Sequence, residues 1–553
     1  MSDTTGSGPM LAADGTPLKE SLGRALRRQK IRALMLIAPL LLFVTLTFVV
    51  PIVSMLFRSV ENQIVSGTLP GTVVAMEQWD SESGEVPSED VFQNLFFDMF
   101  NAAEAKEHTK LGTRLNYENT GLASMFRTSG RSMDDIGEEF QDAIEDVDER
   151  FEEGAFWYAM MNGQGGDDLL LERRERWVDL TGDDMSGDIG FMPSSAIVGL
   201  LPLTSAAYTD FAIWTVIEDE DIVAEEDPWE AVYAALAVDL RDPAVVAAVA
   251  SYDGEGAQAL QALAAADLPQ TTFTDAFADL DEDWVDTSVW KTIDVYSSNL
   301  TSGYFLNSVD RELTPEGVDL RPDNERLYIK LFGRTLWMSL LITTSCIILG
   351  YPIAWLLANL PMRTANVLMI LVLLPFWTSL LVRTSAWKVL LQQQGVINEL
   401  LVWLGFVDDA NRLILMNNST GTIIAMTHIL LPFMILPLYS VMKTINPTYL
   451  RAAKSLGATN ITAFRRVYFP QSVPGIGAGS ILVFILAIGY YITPEIVGGT
   501  DGVFISNRIA YHISRSLNWG LAAALGTILL VLVLALYWCY DQIVGIDNVK
   551  LGG

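Results

Sequence analysis

Six stretches of this chain, residues 31–57, 336–357, 367–389, 422–442, 476–492 and 521–540, reach or approach the roughly 20 apolar residues that a helix needs to cross about 30 Å of hydrocarbon. No water in the bilayer core can satisfy a bare N–H or C=O, so stretches of this kind fold as helices. The sequence therefore predicts an all-α polytopic membrane protein with six transmembrane helices. The first stretch is too long for a cleaved signal peptide, and Pro51-Ile52 followed by Phe57-Arg58 offers no small-residue cleavage site. Pro352, Pro375, Pro432, Pro437 and Pro494 fall in or beside the stretches, and each frees a carbonyl that a neighbouring helix or a cavity must satisfy.

Charge divides the chain. Of 67 acids and 35 bases, 57 acids and 13 bases lie in residues 59–325, a net of −44 there against +12 elsewhere. A basic, apolar membrane part thus carries a large acidic insert between the first and second stretches. That acidity excludes a nucleic-acid partner, which needs clustered Lys and Arg. The insert has no cysteine, because Cys346 and Cys539 both fall in apolar stretches, so it has no disulfide staples. Arg24, Arg27, Arg28, Lys30 and Arg32 precede the first stretch and place the N-terminus in the cytoplasm. Counting forward puts the insert outside and residues 443–472 inside. That inner loop holds Lys443, Arg451, Lys454, Arg465 and Arg466 and no acid, and the even span count returns the C-terminus to the cytoplasm. The expected layout is a cytoplasmic tail at 1–30, a first helix at 31–58, the extracytoplasmic insert at 59–325, a five-helix core at 326–545 and a cytoplasmic tail at 546–553.

The inner loop reads NPTYLRAAKSLGATNITAFRRVYFPQSVPG over residues 446–475. Asn446 suits an N-cap and Pro447 the first helical position, where a missing N–H costs nothing. A helix over 447–456 follows, and Gly457 fits the left-handed residue that ends it. A second short helix is expected to start after Thr459 or Asn460 and run to Tyr468, with Pro470 and Pro474-Gly475 breaking the chain before the next span. The product is a basic helix–turn–helix whose small residues, Ala452, Ala453 and Gly457, admit the close approach of another protein's backbone.

This segment resembles the EAA loop of ABC importer permeases, in which an E-A-A-x-x-x-G pattern is followed by an apolar-x-L-P pattern. Ala452, Ala453 and Gly457 match at the right spacing, Phe469-Pro470 stands for the final pair, and Arg451 stands where glutamate is usual. Further segments are similar to spermidine/putrescine-type permeases: Gly350 to Trp355, Leu374 to Thr378, Gly395 to Leu401, and Leu431 to Ser440. The likeness covers about residues 20–58 and 326–545. It implies a permease that pairs with a second permease subunit, a cytoplasmic ATPase dimer and an extracytoplasmic solute-binding protein, in a bacterial inner membrane. It implies coupling to the ATPase through Arg451, Ala452, Ala453, Gly457, Phe464, Pro470, Pro474 and Gly475.

The chain has no G-x-x-x-x-G-K-[ST] phosphate loop and no H-E-x-x-H, and His108, His428 and His512 are scattered. No catalytic residue, bound cofactor or metal is expected here; ATP and Mg²⁺ belong to the partner ATPase. For a small cationic solute such as a polyamine, carboxylates and aromatic faces must replace water. Trp377, Tyr490, Tyr491 and Glu495 are the candidates on the pathway, although Trp and Tyr near span ends also serve as interfacial anchors. Arg383, inside the third stretch, is expected to face protein or water, or to snorkel outward. A membrane receptor with an acidic sensing domain is the alternative; it predicts two spans and a cytoplasmic signalling domain.

The insert is too rich in Phe, Trp, Tyr and Leu to be simply disordered, and residues 133–156 and 228–266 have helical composition. It also echoes itself: Leu69-Pro70-x-Thr72-x-x-Ala75 recurs as Leu201-Pro202-x-Thr204-x-x-Ala207, each followed by an acidic stretch and an apolar run ending in Asp98 or Asp239. Asp279-x-Asp281-x-Asp283 opens like a calcium loop, but Trp284 and Trp290 replace the required Gly and Glu. The −44 charge reads as solubility, or as a surface that contacts the binding protein or gathers cations, screened beyond about 8–10 Å at ordinary salt.

Overall fold

The structure, a computed structural model, describes the backbone of residues 18–314 and 316–544, with side chains from residue 26 to 542. Residues 1–17 of the expected N-terminal tail, the side chain of Arg24 and the whole expected C-terminal tail, 546–553, lie outside the described residues. The chain forms two compact units: one from the residues up to Val60 together with those from Leu331, the other from Glu61–Lys330.

Five helices of the first unit are long and apolar enough to cross a membrane: Leu26–Arg58, Tyr328–Asn359, Ser419–Thr444, Asn460–Gly489 and Trp519–Gln542. The expected third span is not one straight helix. Met362–Trp377 and Leu380–Leu390 meet at 96°, so the count is six only if this bent pair is one crossing. The sequence explains the bend. Pro375 falls in a tight 3₁₀ turn, Leu374–Trp377, and Thr378 is extended. The Ser379 side chain then accepts from Val382 N at 3.2 Å and starts a new helix.

The expected break at Pro470 and Pro474 is also absent, because Asn460–Gly489 is continuous. Residues Phe464–Tyr468 form a π-helical turn just before Pro470, and such a turn absorbs a proline that lacks its N–H. Gln471 Nε2 and Ser472 Oγ donate to the carbonyls of Val467 and Phe469 at 2.8 Å, adding local partners.

Glycines let the inner helices of this unit close up. A Cβ on Gly479 would sit 2.7 Å from Met434 Sδ, and one on Gly475 would sit 3.0 Å from Val441 Cβ and 3.2 Å from Leu438 Cα. Ser419–Thr444 and Phe469–Gly489 are therefore packed backbone to backbone, the small-residue mode of membrane helices. By contrast, nothing is buried in the most apolar window of Leu26–Arg58. A helix apolar on all faces yet uncovered by protein is matched to lipid.

The second unit is mostly helical and departs from all-α in a hairpin of Arg311–Thr314 and Gly317–Leu320, with Arg311 opposite Leu320. Its core is aromatic: Trp157, Trp177, Trp284, Trp290, Phe92 and Phe96 are fully buried. Each such side chain contributes roughly 1.5–3 kcal/mol of transfer free energy. Several buried charges are paired, while buried Asp239 and Asp310 accept hydrogen bonds from Thr204 and from the backbone N–H of Leu327 and Tyr328. Arg173 bonds Asp210, Arg176 bonds Asp98, and Arg114 and Arg321 both reach Glu118, at 2.9 and 2.7 Å. The rest of the acidity is at or near the surface. Glu104, half-buried, is pushed up to about 7 by desolvation and then by Asp134, Asp219 and Glu230.

Candidate functional site

The 446–475 loop folds from its own capping signals. Asn446 Oδ1 accepts from Thr448 N at 3.0 Å and starts the helix Pro447–Ser455. That helix ends on Gly457 at φ +89°, with Leu456 N on Ala452 O, Gly457 N on Lys454 O and Ala458 N on Ala453 O at 3.0–3.1 Å. Nothing lies within 4 Å of a Cβ built on Gly457, so backbone conformation rather than crowding selects glycine there. Thr459 then caps Asn460–Ala463, accepting from Thr462 N at 3.3 Å.

The result is a projecting knob. Arg451, Ala452 and Lys454 are exposed and Ala453 is half-buried. Leu456 is 90% exposed and Ile461 79%, although both are large aliphatics. These apolar residues stand exposed among Lys and Arg on a capped helix–turn–helix.

Sequence reading missed how the knob is anchored. The Tyr351 ring, on Tyr328–Asn359, lies 6.1 Å from the Phe464 ring and 5.9 Å from the Phe469 ring, and its hydroxyl is 2.9 Å from Ser472 Oγ. Phe464 also stacks on Tyr468 at 5.8 Å. Phe464 is thus held within the unit, Pro470 is exposed, Pro474 is half-buried, and Gly475 is buried against Leu438 and Val441. Of the eight residues singled out for coupling, Arg451, Ala452, Ala453 and Gly457 lie on the knob, and the other four lie along the helix that leaves it. The available signal was aromatic: Tyr351 beside Pro352 and four residues before Trp355.

The pathway candidates are only partly gathered. Asn507 Nδ2 donates to Glu495 Oε2 at 2.6 Å and to Tyr491 O at 2.9 Å, so one amide orients the carboxylate and fixes the chain beside it. Glu495 lies on the short helix Ile492–Val497. That helix packs on the second half of the bent pair, where the Thr384 and Thr493 hydroxyls meet at 3.1 Å. Trp387 Nε1 donates to His428 Nδ1 at 3.1 Å. Arg383 is half-buried, and its Nε has no hydrogen-bond partner among the described residues. Trp377 stands apart at the bend, 74% exposed. Among the described residues no group of three or more His, Cys, Asp or Glu is placed to hold a metal ion.

Comparison with known proteins adds the following. The model of the binding-protein-dependent transport system inner membrane component matches residues 350–544. The spermidine/putrescine transport system permease protein PotB of Escherichia coli strain K12 is 38% identical over 215 residues, which cover 38% of this chain and 78% of that protein. PotB of Salmonella typhimurium strain LT2 is likewise 38% identical, over 74% of its length. The inner membrane ABC transporter permease protein YdcU of Escherichia coli strain K12 is 32% identical over 253 residues, 44% of this chain and 79% of that one. Among solved structures, a chain of a bacterial alginate ABC transporter in complex with alginate pentasaccharide-bound periplasmic protein aligns at a TM-score of 0.34 and 19% identity, over 41% of this chain and 81% of that chain.

Proposed function

The chain belongs to the family of binding-protein-dependent transport system inner membrane components, and from that premise we propose that it carries a small cationic solute of the polyamine class across the inner membrane. It is a multi-pass permease subunit of an ABC importer, not an enzyme. The observation that carries the choice of solute is its 38% identity with the spermidine/putrescine permeases over most of their length. The receptor alternative is set aside by the family, and by five to six spanning helices where it asks for two.

In this reading the bent pair is one crossing, making six, and the basic loops keep both ends in the cytoplasm. A cytoplasmic ATPase dimer binds ATP and Mg²⁺. A second permease completes the pathway, and an extracytoplasmic solute-binding protein delivers the solute. The exposed helix Pro447–Ser455 seats in a groove of the ATPase, with Ala452, Ala453 and Gly457 at closest approach and Arg451 meeting an acid or a carbonyl. When ATP closes the dimer, the knob moves as a body. The push passes along Asn460–Gly489 without interruption and sideways through Tyr351 to Tyr328–Asn359.

On the solute side, Glu495 supplies negative charge and Asn507 holds it in place, while Tyr490 and Tyr491 offer aromatic faces to a desolvated ammonium. Trp377, at the bend, lines the mouth of the same path. The experiment is uptake of radiolabelled spermidine by cells expressing the whole transporter. The reading expects saturable uptake that spermidine and putrescine compete for and that Glu495→Gln reduces at least tenfold, the scale of a lost charge contact. Robust uptake of an anionic or neutral solute with no polyamine uptake would overturn the solute class and leave the permease assignment intact.

A further inference from the structure

The weak echo in the insert extends over most of its helices. Ile64–Thr68, Pro70–Met76, Glu89–Glu104, His108–Leu115, Leu122–Arg131, Met133–Val147, a 3₁₀ turn Glu149–Glu152 and Gly154–Met161 follow one another. They are answered in the same order by Ser195–Leu200, Pro202–Ile217, Glu230–Asp239, Pro243–Val249, Ala257–Ala264, Phe273–Leu280, a 3₁₀ turn Glu282–Val285 and Thr287–Val295. The sequences agree where the local chemistry does. Glu89-x-Val91-Phe92-x-x-Leu95-x-x-Asp98 matches Glu230-x-Val232-Tyr233-x-x-Leu236-x-x-Asp239, and Asp142-Ala143, Asp146, Asp148-Glu149 and Trp157 match Asp275-Ala276, Asp279, Asp281-Glu282 and Trp290.

The hydrogen bonds repeat too. Thr72 N and Oγ1 both donate to Asp98 Oδ2 at 2.7 Å, and Thr204 N and Oγ1 both donate to Asp239 Oδ2 at 2.8 and 2.7 Å. Asp148 accepts from Arg150 N and Asp281 from Asp283 N, each at 3.1 Å. Trp157 Nε1 donates to Phe151 O at 2.9 Å and Trp290 Nε1 to Trp284 O at 2.8 Å. Gly121 and Gly256, both left-handed, precede the fifth helix of each set.

Contacts between the two sets come in reciprocal pairs. Met133–Val147 packs on Glu230–Asp239, and Phe273–Leu280 packs on Glu89–Glu104. The Tyr233 ring lies 5.1 Å from Trp157, and the Phe92 ring 4.8 Å from Trp290. Asn62 N donates to Asn299 O and Ser194 N to Met161 O, both at 2.9 Å, so the start of each set is tied to the end of the other. The helix between the sets, Asp167–Thr181, joins them further: its Arg176 bonds Asp98, its Arg173 bonds Asp210, and Asn101 reaches Asp210 at 3.0 Å.

We infer that the insert is a tandem duplication in which residues 64–161 and 195–295 are two copies of one helical unit, each supplying the packing surface that completes the other. Reciprocal contacts of this kind are what an isologous pair makes about an approximate two-fold axis. The partner of each unit's inner face is therefore the other copy, and the module closes on itself with its ends together. This conclusion stands independently of the transported solute.

The two cross-copy aromatics give the test. Tyr233 OH donates to Phe151 O at 2.8 Å; in the register of the two copies the equivalent carbonyl is Trp284 O and the equivalent ring is Phe92. In the full-length transporter, hydrogen exchange read by mass spectrometry should show that Tyr233→Phe raises amide exchange roughly five- to tenfold, as much in 133–161 of the first copy as in 230–249 of the second. Phe92→Tyr, at a fully buried position, should be tolerated, and combined with Tyr233→Phe it should restore wild-type protection, because its new hydroxyl finds Trp284 O. An unrelated core would be left with an unsatisfied buried hydroxyl and lose protection by tenfold or more. That loss in Phe92→Tyr, or a Tyr233→Phe effect confined to 195–295, would overturn the inference.

Discussion

The two units of this chain solve the packing problem in opposite solvents, and they do so with opposite residues. In the insert, large aromatics turn inward and acids turn outward, so water drives the collapse. In the membrane unit, apolar side chains cover the outside, and the inside is made close by Gly350, Gly475 and Gly479, because lipid gives no comparable reward for burying a Leu. The insert's core arginines Arg173 and Arg176 sit in ion pairs with Asp210 and Asp98, whereas in the membrane unit the half-buried Arg383 has an Nε with no hydrogen-bond partner among the described residues. One sequence thus obeys two sets of rules, and each unit should fail in its own way.

The sharpest separation is expected from Asp210→Ala. It strands Arg173 in the insert core and should destabilise that unit by about 3–5 kcal/mol, read as a lowered melting transition of the insert in tryptophan fluorescence. Gly479→Leu should do the converse. Its side chain has no room beside Met434, and overpacking of about 1–3 kcal/mol or more should cost assembly and transport while protease resistance of the insert is kept. If either variant damages both units alike, the division into two separately governed folds is wrong.

A smaller effect is expected from pH. The carboxyl of Glu104 sits at about 7 in the folded insert, against an ordinary carboxylate value when unfolded, and burial raises Asp98 and Asp239 in the same direction. The unfolded chain releases the Glu104 proton first, so its stabilisation is full below about pH 4.5 and is lost as pH rises through about 7. Thermal melts of the transporter should show the insert transition falling between pH 5.5 and 8, with Glu104→Gln flattening the slope and the membrane unit indifferent. The smallest effect is Gly457→Ala, about 1 kcal/mol of backbone strain at φ +89° with no clash, visible as slightly weaker ATPase binding in co-purification.

Much of this was legible in the sequence where the physics is local. Asn446, Pro447, Gly457 and Thr459 announced the knob because caps act within one turn. The charge of residues 59–325 separated the units because composition needs no fold. What failed were inferences across a break. Pro470 reads as a stop, yet a π turn carries the helix through it; Pro375 reads as a kink, yet with Ser379 it reverses into a 96° bend. Contacts such as Tyr351 with Ser472 and Asn507 with Glu495 link residues distant in sequence or on separate elements, and no spacing announces them. In the sequence the duplication showed only as Leu-Pro-x-Thr and its Asp, because the copies have drifted at most other positions.

The most direct test of the account is ATPase activity of the transporter co-purified with its ATPase subunits, for wild type and Ala452→Trp. Ala452 is exposed on the knob, so the substitution leaves the permease fold alone and fills only space a partner would occupy. The account predicts a folded membrane unit that no longer retains or stimulates the ATPase. Full retention and wild-type activity in Ala452→Trp would contradict it.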